Sequence, residues 1–112
     1  MSRAGETKPV IRVAETKSIQ SKILITLDYH TSDGTFVVYY NGPMLTRVTR
    51  NGESDDAFIA RAVSHYRDAV VVFLVTTAQS PDKEHAERAT AGVLNAARIK
   101  AARVLEELRG AR

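Results

Sequence analysis

Residues 68–77 read Asp-Ala-Val-Val-Val-Phe-Leu-Val-Thr-Thr, and the conformation given to this run decides the fold. The apolar stretch Ala69 to Val75 is far short of the roughly 20 residues a membrane helix needs. Valine is stiff at χ1 and favours extended backbone. A run so short, β-branched and unbroken predicts a strand over 68–77 buried on both faces, not a core helix.

Immediately upstream, Ser54 is suited to cap a helix, with Asp55 and Asp56 at the positive end of its dipole. Phe58, Ile59, Ala62, Val63 and Tyr66 recur at spacings of three and four, which predicts an amphipathic helix over 55–67. Further back, Lys22 to His30 alternates, with Ile23, Ile25, Leu27 and Tyr29 on one face and Leu24, Thr26, Asp28 and His30 on the other. Thr31-Ser32-Asp33-Gly34 supplies a turn, and Thr35 to Tyr40 a return strand that is wholly β-branched or aromatic. Asn41-Gly42-Pro43 makes a second turn, and Met44 to Arg50 a third strand that ends at Asn51-Gly52. Three strands so punctuated form an antiparallel meander. Val10 to Glu15, behind Pro9, reads as a short edge strand, and residues 1–9 as a disordered leader.

Downstream, Ser80-Pro81-Asp82 offers a cap, a proline for the first helical position and an acid. The helix that follows, 81–109, is rich in Ala, Leu, Glu, Arg and Lys and contains a single glycine, Gly92. It would be about 40 Å long, against a radius of gyration near 13 Å for a compact domain of this size. Ala86, Val93, Leu94, Ala97, Ala101, Val104, Leu105 and Leu108 share one stripe and predict the core face. Ala89, Gly92 and Ala96 form a second, small-residue row that permits close approach of another helix, with Ile99 amid the polar face. These four residues are the expected contact of a homodimer or higher oligomer. The resulting order, (β)βββαβα, describes one α+β domain over 10–112, its helices packed on one face of a mostly antiparallel sheet.

Composition narrows the function. The 112 residues are 44% hydrophobic and 26% charged, as in an ordinary soluble domain. With no cysteine, the chain has no disulfides, thiol nucleophiles or thiolate zinc sites. Its polar start lacks the apolar segment of a signal peptide, so a cytoplasmic protein without a membrane partner is expected. Thr76 to Ser80 lead into a helix start but lack the glycines and the Gly-Lys-Thr of a phosphate-binding loop, so no cofactor is expected. Asp28 and His30 share a strand face near Asp33, and if they converge in a cleft they could do general acid–base work or, with Glu53 or Asp55, bind a metal. His65 and His85 are too dispersed to add a ligand set. No catalytic residue and no metal site are assigned.

Charge is more informative. The net +3 is unevenly placed, with residues 1–22 and 97–112 both basic and the body acidic. Aromatics interleaved with arginines on an open sheet can stack bases and clamp phosphates. The expected phosphate contacts are Arg3, Lys8, Arg12, Arg47, Arg50, Arg98, Lys100 and Arg103, with Tyr39 or Tyr40 as the stacking residue. The sequence therefore points to a small, oligomeric, non-enzymatic protein that binds DNA or RNA. The alternative is a protein–protein interaction module that uses the long helix or a sheet face.

Overall fold

A computed structural model describes residues 9–18, 20 and 22–110. Four strands are followed by two helices: β1 (Val10–Lys17), β2 (Ile23–His30), β3 (Thr35–Tyr40), β4 (Met44–Val48), α1 (Asp55–Thr76) and α2 (Lys83–Gly110). The sheet is a fully antiparallel meander in the order β1-β2-β3-β4. Its tightest turn is the Asn41-Gly42 pair, where both residues have positive φ (53° and 107°) and the Tyr40 amide donates to the Pro43 carbonyl at 2.9 Å. That handedness matches the twist of the flanking strands. The α+β class and the meander agree with the sequence reading, and the interleaved order does not.

The expected strand over 68–77 is the C-terminal part of α1, so the order is ββββαα. Two physical reasons account for the difference. No glycine, proline or asparagine interrupts 55–76, so nothing stops the helix that Ser54 starts by accepting from the Ala57 amide at 3.2 Å. The buried stripe also continues through the run: Phe58, Ala62, Tyr66, Ala69, Val70 and Phe73 all face the core. Valine in a helix costs only a few tenths of a kcal/mol, and burying each such side chain returns about 1.5–3 kcal/mol.

Smaller boundaries shift as well. The first strand runs on to Lys17, and the strand expected over 44–50 stops at Val48. The second helix starts at Lys83 instead of 81, because its cap is Asp82 and not Ser80. The Asp82 carboxylate accepts from the His85 amide at 2.9 Å. Between the helices, the Gln79 amide donates to the Leu74 carbonyl (2.9 Å) and the Ala78 amide to that of Val75 (3.1 Å). This is a Schellman closure with Ala78, at φ 61°, where glycine usually sits.

Both helices lie on one sheet face. Phe36 stacks between Tyr29 and Phe58, with ring centroids 4.9 and 5.0 Å away. The fully buried Tyr66 shares a 2.6 Å hydrogen bond with Thr16, tying α1 to β1. From α2 the core takes Leu94, Ala97, Ala101, Val104 and Leu105. Val93 lies at the margin of that stripe and is exposed, while Thr90 is buried with its hydroxyl donating to the Glu87 carbonyl at 3.0 Å. Ile23, expected on the same face as the buried Ile25 and Leu27, is exposed at the start of β2, where a bulge separates it from the regular pairing with β1.

Candidate functional site

The open face of the sheet carries charges already matched to one another. Arg12 on β1 stands opposite Asp28 on β2, with Nε 2.6 Å from the carboxylate, and also reaches Glu15 at 3.0 Å. Asp28 is only 5% exposed because its neighbours cover it. Arg47 on β4 donates to Asp33 at 2.9 Å and to the Thr35 hydroxyl at 3.0 Å. The Thr35 hydroxyl and amide, with Arg47, hold the Asp33 carboxyl below its ordinary range. Tyr39 bonds His30 Nε2 at 2.9 Å, so Asp28 and His30 have separate partners and do not form an acid–base pair.

Tyr39 and Tyr40 fall on opposite faces. Tyr40 packs against the core from the helix side, leaving Tyr39 alone beside the open-face arginines. Arg50 lies elsewhere, at the start of α1, with its guanidinium 4.6 Å from the Phe58 ring centroid and 2.7 Å from Asp55. Arg109, from the last turn of α2, bonds the other oxygen of the same carboxylate. Next to this cluster, Glu53 accepts two bonds from Arg61 and one from the Asn51 amide, which lower its pKa to about 2.

The remaining expected cations are on α2. Arg98, Lys100 and Arg103 are exposed, and none makes an ion pair among the described residues. They do not share one face. At about 100° per residue, Lys100 and Arg103 sit on the outer flank, while Arg98 is on the side toward α1, in a niche with Ser64 and Arg67. Arg3 and Lys8 lie outside the described residues. The fold therefore scatters the expected phosphate contacts over the open sheet face, the start of α1 and two sides of α2, and pairs Arg12, Arg47 and Arg50 with carboxylates.

The expected oligomer row, Ala89, Gly92, Ala96 and Ile99, is exposed along α2, with Ile99 at 52%. A Cβ added at Gly92 would meet open space, so nothing inside this chain requires glycine there.

One apolar surface is absent from the sequence reading. Val72 is 58% exposed and Val75 36%, on the ridge of α1, and Leu45 (55%) on β4 lines a groove with Val72. Two open grooves flank the ridge, of about 410 Å³ toward α2 and about 370 Å³ toward β4, and both include Asp68 and Val72. The signal was the run 69–75 itself. In a helix, seven consecutive apolar residues point in every direction, so some must face away from the core. Among the described residues no helix is long and apolar enough to cross a membrane, and no group of His, Asp or Glu is arranged to hold a metal. Comparison with known protein families, with curated proteins and with solved structures finds no match for this chain.

Proposed function

We propose that this protein works by binding another protein chain and not by catalysis, with the ridge of α1 and the start of β4 as its contact face. The observation that carries this reading is the exposure of Val72 in the middle of an all-apolar helical segment. A helix that is apolar on every side is ordinarily covered on every side. An exposed valine also forgoes about 0.5 kcal/mol of helix propensity relative to alanine, with no packing in return. A photo-crosslinking amino acid at position 72 is expected to join the chain to a protein, while the same group at the exposed position 84 is not. Equal labelling at both positions, or at neither, contradicts the reading.

A nucleic-acid partner is the second reading, favoured by Arg98, Lys100 and Arg103 on α2, cations that make no ion pair among the described residues. Binding of DNA or RNA would then weaken with salt, with a log–log slope of roughly 0.7–0.9 per phosphate contact. Lys100→Glu with Arg103→Glu would lower that slope, whereas Arg47→Gln, at a cation already held by Asp33, would leave it unchanged. No binding at low salt removes this reading.

A further inference from the structure

Resting on the ridge as a contact face, we infer that its occupant is a second copy of this chain, with α1 packed antiparallel on α1 about a two-fold axis at Val72. The exposed positions His65, Asp68, Val72 and Val75 follow one another at intervals of three, four and three. That spacing is the seam of a paired helix, in which a side chain from one helix enters the gap between turns of the other. Closed two-fold pairs are the commonest arrangement of identical chains.

Charge fixes the direction. Asp68 lies one turn before Val72, and Thr76 one turn after it. Lys83, at the start of α2, lines the same groove as both. With the helices antiparallel about Val72, Asp68 of each copy stands level with Thr76 of the other and within reach of its Lys83. Parallel packing would instead oppose Asp68 to Asp68. Among the described residues of its own chain Asp68 pairs only with the adjacent Arg67, at 3.1 Å on the exposed surface, a contact of little energetic weight.

The make-up of the face suits this occupant. The exposed parts of Leu45, Val72 and Val75 form its apolar centre, and patches of that kind mark contact sites on small proteins. His65, Asp68, Lys83 and Glu87 border it. The apolar centre and charged rim are the ordinary anatomy of such a contact.

Two experiments on the full chain test the inference. The chain has no cysteine, so Val72→Cys introduces a single thiol, which on a two-fold axis would meet its own copy. Mild oxidation is expected to convert most of this variant to a covalent dimer and to leave Ile99→Cys, on the outer flank of α2, without a covalent cross-link. Cross-linking at 99 and not at 72 overturns the proposal and moves self-association to the α2 row. In the second experiment, Asp68→Lys and Lys83→Asp are each expected to weaken the dimer at least tenfold. An equimolar mixture of the two variants is expected to regain it, because both cross-pairs are then attractive. Mixing without recovery overturns the antiparallel arrangement. A chain that is monomeric in both experiments, yet cross-links to a different protein from position 72, overturns the second copy as occupant and leaves the binding reading standing.

Discussion

Two residues carry consequences that their own chemistry fixes. Ala78 occupies the left-handed position of the Schellman closure after α1, at φ 61°, where a Cβ crowds the following carbonyl at a cost of about 1 kcal/mol. Ala78→Gly is therefore expected to stabilise the fold by roughly 0.5–1 kcal/mol in urea denaturation. A loss of stability would mean that the turn has another geometry. Glu53 has its pKa lowered to about 2, first by the hydrogen bonds from Arg61 and then by the Asn51 amide. A depressed carboxyl contributes stability that is present above its unfolded pKa and lost as pH falls through the folded one. The contribution should decline from about pH 4.5 and be gone near pH 2, with Asp33, Asp55 and Asp82 acting in the same direction. A series of melting temperatures from pH 6 to pH 2 should fall more steeply for the parent than for Glu53→Gln. Parallel curves would show that the Arg61 contact contributes nothing to stability.

At the scale of elements, the sequence disclosed what local chemistry decides and hid what tertiary packing decides. Asp33-Gly34 and Asn41-Gly42 specify their hairpins through backbone conformation alone, and Ser54 caps α1 through its own hydroxyl. These were readable. The valines of 70–72 favour a strand by χ1 restriction, a preference worth a few tenths of a kcal/mol each. They form a helix because the Phe58 to Phe73 stripe continues through them, and that continuity shows only once 55–76 is read as one segment. The charged residues behaved similarly. Arg12, Arg47 and Arg50 were visible as cations, but their partners Asp28, Asp33 and Asp55 come from neighbouring strands or from beyond a turn. The α1 assignment has its own check. Val70 is buried and Val72 exposed, so Val70→Ala should cost about 2 kcal/mol, while Val72→Ala should leave the dissociated chain within about 0.5 kcal/mol of the parent. A strand buried on both faces would make the two losses equal.

For the whole molecule, the helical hairpin governs shape and association. The chain measures 47 × 33 × 21 Å with a radius of gyration of 14.8 Å, larger than the roughly 13 Å of a compact body of this length. The long α2 expected from the sequence does lengthen the molecule, yet its inner stripe is buried against α1 and β1. Apolar surface is left uncovered on the ridge of α1, the segment expected as an internal strand, besides Val93 and Ile99 on α2. Self-association thus remains the expected behaviour, with a different surface responsible for it. Sedimentation equilibrium of the unmodified chain over a wide concentration range tests this most directly. The expected result is a mass approaching twice the 12.3 kDa of one chain, returning toward one chain on dilution and in Val72→Asp. A mass of one chain at every concentration, with Val72→Asp indistinguishable from the parent, would contradict it.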